Sequence, residues 1–153
     1  MTIEIPPAGT RGVSTRLVRI FRLFNRLSVW LYRRRGGGSG GRAGLLLTTM
    51  GARSGRERTV ALGKFSDGEG RLLVVASLAG AAQHPAWFIN LAKNPDTVWV
   101  EVGRDRTKVR PELLHGEERA DAWRRIVAAA PDYGPYEQVT DREIPVVRLT
   151  PEG

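Results

Sequence analysis

The sequence predicts a mainly β fold, a small six-stranded antiparallel barrel with two interposed helices, preceded by a basic amphipathic helix. Three observations carry this. Six short apolar or β-branched stretches are separated mostly by hairpin-type turns rather than long crossovers. Two segments among them have the composition and spacing of helices. Charge is segregated: residues 1–43 hold nine arginines and one acid, Glu4, whereas residues 44–153 hold 15 charges of each sign. The net +8 therefore belongs to the N-terminal segment, and a neutral body argues against a nucleic-acid-binding face.

Residues 1–13 contain Pro6, Pro7, Gly9 and Gly12 and read as a loose leader. Ser14 or Thr15 then caps a helix running to about Arg33, with Leu17, Ile20, Phe21, Phe24, Leu27 and Leu31 as one apolar stripe. Arg16, Arg19, Arg22, Arg26 and Arg33 fall largely on the other side, with Trp30 and Tyr32 near the end. The uncharged run Leu27–Tyr32 is far below the ~20 residues of a bilayer span. Arginines interrupt any signal-peptide core, and no small-residue cleavage site follows. Three readings of this helix stay open: it lies on an anionic membrane surface, it docks onto the body, or, third, it is a nucleic-acid arm. The glycine-rich run Gly36–Gly41 is expected to be a linker, dividing residues 1–43 from a folded domain over 44–153.

In the body, Gly44–Met50 reads as the first strand and Glu57–Phe65 as the second, joined by a polar turn. Ser66–Gly70 turns the chain into Arg71–Ser77, a third strand. Pro85 opens a short helix through Lys93, stopped by Asn94-Pro95. Asp96–Val102 alternates as a half-buried strand, Arg106–Leu114 follows, and Gly116–Ala130 is a helix with Ala120, Trp123, Ile126 and Val127 inward. A loop over Pro131–Gln138 precedes the last strand, Ile144–Leu149.

The side chains limit the chemistry. The lack of cysteine excludes thiol catalysis and thiolate metal sites, the two histidines, His84 and His115, argue against a His-rich site, and no metal is expected. Redox chemistry would need a bound cofactor. Gly51-Ala52-Arg53-Ser54-Gly55-Arg56-Glu57-Arg58 combines two glycines, whose backbone N–H groups can turn outward as an anion nest, with three arginines. On the residues alone, an exposed basic hairpin is a commoner reading of such a turn than a ligand clamp. Tyr133 and Tyr136 are unusual in a loop; they either serve a ligand or pack the loop down. His84 is expected to be a surface or capping residue, and Asp141-Arg142-Glu143 a solvated turn.

Together these stretches resemble the deazaflavin (coenzyme F420)-dependent nitroreductase family, within the split β-barrel flavin-binding-like fold. The resemblance rests on Leu45–Arg58, Val75-Ala76-Ser77 with Gly80, His84-Pro85-Ala86-Trp87-Phe88-Ile89-Asn90-Leu91 and Asn94-Pro95. Glu117-Glu118-Arg119 with Trp123, Pro131, Tyr133, Tyr136, Thr140-Asp141-Arg142 and Ile144-Pro145-Val146 complete it, in family order across nearly the whole chain.

The resemblance implies a six-stranded split barrel (β-roll) that transfers a hydride from reduced F420 to a quinone, nitroaromatic or enone acceptor, with quinones favoured. It implies that the turn residues Arg53, Ser54, Gly55, Arg56, Glu57 and Arg58 hold the coenzyme's phosphate and acidic tail. Leu47, Thr48, Ala61, Leu62, Val75, Ala76 and Ser77 would flank the ring, with Pro85, Ala86, Trp87 and Asn90 on its other side. Ser77 would donate to the substrate, and Tyr133 or Tyr136 would supply a proton. An FMN-binding split-barrel enzyme and a non-catalytic F420-binding protein are the alternatives. A cytoplasmic protein, held peripherally at the inner membrane face by residues 14–33, is expected. Ala52, Ala130 and Leu78-Ala79 depart from the family pattern, and Ala130 puts nitro-compound reduction in doubt more than cofactor binding.

Overall fold

The computed structural model describes residues 2–36 and 44–152, without the side chains of residues 15, 17, 18 and 21. Leu17 and Phe21 of the expected stripe, and most of the expected linker, therefore lie outside the described residues. The elements are α1 (Thr15–Arg35), β1 (Gly44–Met50), β2 (Glu57–Gly63), β3 (Phe65–Ser66), β4 (Leu72–Val75) and α2 (Ala86–Lys93). There follow β5 (Trp99–Val102), β6 (Asp105–Leu113), α3 (Gly116–Ala129), α4 (Tyr136–Val139) and β7 (Val146–Pro151).

All strand pairs are antiparallel, in the order β2-β1-β5-β6-β7-β4-β3. The seven strands are the expected six, because the second strand breaks at Lys64 into β2 and β3. Those halves are the two ends of the sheet order, so the sheet curls until its ends meet in one bent strand. Strand β6 is bent in the same sense. Its first half pairs β5 through Lys108, and its second half pairs β7 from Val109 onward. Pro111 falls in that second half, where β5 no longer needs an N–H from it.

Strand alternation puts Leu45 and Leu47 of β1 into the barrel with Val74, Val100, Val109, Val147 and Leu149, closed below by Phe88 and Leu91 of α2. A second cluster forms where α3 packs Ala122, Trp123 and Ile126 against Leu73, Leu114, Ile144 and Val146. Asp67, almost buried in the turn after β3, ties these layers together by accepting from Arg148 of β7 and from Arg125 of α3 at 3.0 Å. Burial raises its pKa, but hydrogen bonds from Arg148 and Arg125 outweigh this and hold it below the ordinary aspartate value.

Helix α1 docks, but not through its apolar stripe. Asn25 lies on the outer edge of β2, donating to Thr59 O (3.0 Å) and accepting from Ala61 N (3.1 Å). Its amide thereby pairs two groups that an edge strand would leave exposed. Tyr32, buried, donates from its hydroxyl towards Gly44 O and Glu101 O and accepts from Gly103 N. At 100° per residue, Asn25, Val29 and Tyr32 face the body about 170° away from Ile20, Leu23, Phe24, Leu27 and Trp30. Those five side chains are 45% to 74% exposed. No helix among the described residues is long and apolar enough to cross a membrane.

The leader is not loose. Ile3 N donates to Ala92 O, Gly9 N to Ala82 O and Val13 N to Gly80 O, and Val13 forms a parallel bridge with Ala81. Asp141 clasps it through the Thr10 hydroxyl and the Thr10 and Arg11 amides. The Thr10 hydroxyl first, and then those amides, lower the Asp141 pKa to about 2. A proline- and glycine-rich segment has no internal periodicity, so its partners were invisible in sequence.

Candidate active site

The basic turn between β1 and β2 is closed by its own backbone. Gly51 N donates to Arg56 O (2.8 Å), and Gly55 N to Gly51 O (2.9 Å), with Gly55 at φ +67°. Arg56 N donates to Ser54 Oγ (3.2 Å) and Ala52 N to Asn90 Oδ1 of α2 (2.9 Å). The nest is thus narrower than the glycines suggest, because three of its N–H groups are used within the turn and a fourth by Asn90 of α2. Among the described residues, the N–H groups of Arg53 and Ser54 have no partner. The side chains of Arg53, Arg56 and Arg58 are exposed and form no ion pair among the described residues, while Glu57 is matched by Arg106 at 3.4 Å.

A second cluster forms at the far end of β2. Tyr133 lies on a 3-10 turn (Pro131–Tyr133), edge-on to Phe65 at 5.5 Å and against Tyr136 at 5.5 Å between ring centroids. A Cβ placed on Gly63 would sit 3.1 Å from the Tyr133 hydroxyl, which locates that phenol over the end of β2. Both rings also pack on the second core cluster, so serving a ligand and packing the loop are compatible roles. The loop after β4 meets the same region: a Cβ on Gly80 would be 3.3 Å from Tyr136 O. Ser77 begins that loop, half-buried, its hydroxyl without a hydrogen bond among the described residues. Leu78 (φ 43°) and Ala79 (φ 52°) hold left-handed backbone that side chains disfavour. From Arg58 to Gly63, five strand steps separate the arginine turn from Tyr133 by about 17 Å.

Arg142 keeps the strained loop in place. Its Nε donates to Ala81 O (2.7 Å), and its Nη2 to Ser77 O (2.8 Å) and Ala76 O (3.1 Å). Its Nη1 lies 3.2 Å from His84 Nδ1. The guanidinium can only donate, so Nδ1 is the acceptor and Nε2–H donates to Pro6 O at 2.8 Å. The expectation of a solvated turn fails for Arg142, and that of a surface histidine fails for His84: both are buried, because leader and loop close over them. Burial lowers the Arg142 pKa to about 10. Burial also lowers that of His84, the Pro6 carbonyl opposes it, and the Arg142 charge adds to it. The fold thus accepts a neutral imidazole. Stability is expected to be fully present above pH 6.5 and to be lost as pH falls from there through the lowered folded value. A His84→Gln variant, compared in urea titrations across that range, should show a flatter profile; an identical profile would remove His84 as the cause.

The remaining expected contacts are distributed unevenly. Ala61 and Leu62 are half-buried on β2, and Ala86 is exposed at the start of α2. Leu47 and Ala76 are fully buried, and Val75, Pro85 and Trp87 nearly so, presenting little or no side-chain surface. Thr48 is buried, its hydroxyl 2.9 Å from that of Thr59. Asn90 serves the turn. Arg142 and Asn25 were missed as shaping residues: nothing in their local sequence shows which distant carbonyls they bind.

A ligand with several negative charges at one end and a flat ring at the other matches this donor set. The chain matches the family model described as F420H(2)-dependent quinone reductase over residues 24–151. It is similar to an F420H(2)-dependent quinone reductase of Mycobacterium tuberculosis, at 39% identity over 109 residues, 69% of this chain and 72% of that protein. It is also similar to the solved structure of an F420-H2 dependent reductase, FDR-A (TM-score 0.62, 38% identity, 69% of this chain and 92% of that one). A solved structure described as a domain-swapped dimer gives a TM-score of 0.65 at 33% identity, over 88% of this chain and 98% of that one. The protein therefore belongs to the F420H2-dependent quinone reductase family, oxidoreductases with coenzyme F420 as hydride donor.

Proposed function

We propose that this chain reduces quinones, holding the phosphate and acidic tail of F420 at the basic turn and its ring beside Tyr133 and Tyr136. The observation that carries this reading is the placement of both clusters along β2, charge at one end and phenols at the other. The coenzyme supplies a hydride when bound. A quinone needs that hydride and one proton to become a hydroquinone. The exposed Arg53, Arg56 and Arg58 side chains bind the acidic end, aided by the Arg53 and Ser54 N–H groups. The Ser77 hydroxyl donates to an acceptor oxygen, and Tyr133 or Tyr136 delivers the proton. Nitroaromatic reduction is a side activity of the same pocket. Fluorescence titration with F420, run beside FMN, tests the assignment. Arg53→Ala and Arg58→Ala should each weaken F420 binding by about 1–3 kcal/mol. Unchanged affinity in both would overturn it.

Helix α1 carries seven arginines and no acid, and its exposed stripe points away from the body. Such a surface suits an anionic bilayer, with arginines contributing about 1 kcal/mol each near it. A membrane-resident quinone then lies within reach. Leu23→Ser with Phe24→Ser is expected to abolish sedimentation with anionic vesicles while leaving the melting temperature unchanged. Sedimentation equal to the parent protein's would count against membrane contact.

A further inference from the structure

The basic turn depends on a helix that the chain reaches some thirty residues later. Phe88, Leu91 and Ala92 fix α2 in the barrel core, each fully buried. From this anchored helix Asn90 Oδ1 accepts from Ala52 N at 2.9 Å. One turn on, Asn94 Nδ2 donates to Met50 O at 3.3 Å, so the entry to the turn is gripped at a carbonyl and at an amide two residues apart. The asparagines are themselves joined, Asn94 N donating to Asn90 O at 2.9 Å. Beyond this grip the turn has only short internal bonds, and its arginines are exposed. Three like charges within six residues repel one another and favour an open loop. An anion site that must be reassembled at each binding event loses affinity to the cost of ordering it.

We propose that Asn90 and Asn94 are positioning residues that pre-form the anion-gripping turn, and that Asn90 acts on phosphate binding rather than on the coenzyme ring. The inference rests on the assignment of the basic turn to the phosphate and acidic tail. Asn90 Oδ1 is committed to a backbone amide of the turn, and the paired asparagines convert a flexible basic hairpin into a fixed one. The sequence signal is the spacing Asn90–Asn94, which puts both side chains on one helix face.

The test compares two probes by fluorescence titration. One is oxidised F420; the other is its deazaflavin nucleoside, which has the same ring but neither phosphate nor acidic tail. Asn90→Ala is expected to weaken F420 binding about tenfold and to leave the nucleoside within about twofold. Asn94→Ala should give the same pattern more weakly, and keeps the test available should Asn90→Ala not fold. The Asn90→Ala effect on F420 should also shrink when Arg53→Ala is already present, since the turn then has less to position. An equal loss for both probes would overturn the proposal by placing Asn90 at the ring, and so would unchanged F420 affinity. If the parent protein binds both probes equally, the turn's assignment to the phosphate has itself failed, a result separate from any effect of the asparagines.

Discussion

Replacing Arg142 by methionine is expected to destabilise the protein by about 3–4 kcal/mol, near the upper range for a single substitution. The guanidinium satisfies the carbonyl oxygens of Ala76, Ser77 and Ala81 and the Nδ1 of His84, all in a closed region. Methionine fills similar volume but donates nothing, leaving Ala76 O, Ala81 O and His84 Nδ1 to find other partners, while Ser77 O keeps the Gly80 amide. Desolvation of the native cation returns part of that loss, which keeps the figure below the sum of three full penalties. Lysine keeps the charge without the fork that reaches several oxygens, so Arg142→Lys should fall between the two. Urea unfolding of the three proteins checks the order. A methionine variant within about 1 kcal/mol of the parent would show that the loop holds itself. Turnover should fall as well, because Ser77 heads the loop that Arg142 fixes.

Gly12→Ala should detach the leader. A Cβ there would lie 2.3 Å from Ala82 N, 2.5 Å from Gly80 O and 2.7 Å from Ala81 C. These are backbone atoms of the loop and cannot rotate aside. The segment must therefore lift, losing the hydrogen bonds of Gly9 and Val13 and straining the contacts of Pro6 and Asp141. Two to four modest hydrogen bonds amount to about 2–3 kcal/mol. Hydrogen exchange reads this directly: protection at the Gly9 and Val13 amides should disappear while the amides of β1 and β6 stay protected. Retained protection at Gly9 would show that the leader tolerates the methyl group.

Much of the fold was legible because strands and helices announce themselves by short-range spacing. The apolar run of β1, the alternation in β6 and the apolar stripe of α3 each follow from local composition or periodicity. The break at Lys64 was not legible, because bending one strand between two sheets depends on where its partners lie. The candidate site divides in the same way. Arg53, Arg56 and Arg58 stand out as a cluster within one turn, and Tyr133 and Tyr136 as aromatic residues in a loop. That they lie at opposite ends of one strand is a matter of register. The asparagines that brace the turn needed the docked position of α2.

By itself, then, the sequence determined the class of fold, the segregation of charge into the N-terminal segment, the need for a bound redox cofactor and the residues of the anion turn. Each depends on composition or on neighbours within a few positions along the chain. Only the tertiary structure decided that α1 docks through Asn25 and Tyr32 with its apolar stripe outward. It also decided that the leader straps the Ser77 loop, and that Arg142 and His84 are buried beneath it. Those outcomes turn on hydrogen bonds between groups 12 to 131 residues apart. A polar side chain carries no local mark of which distant backbone oxygen or amide it will satisfy.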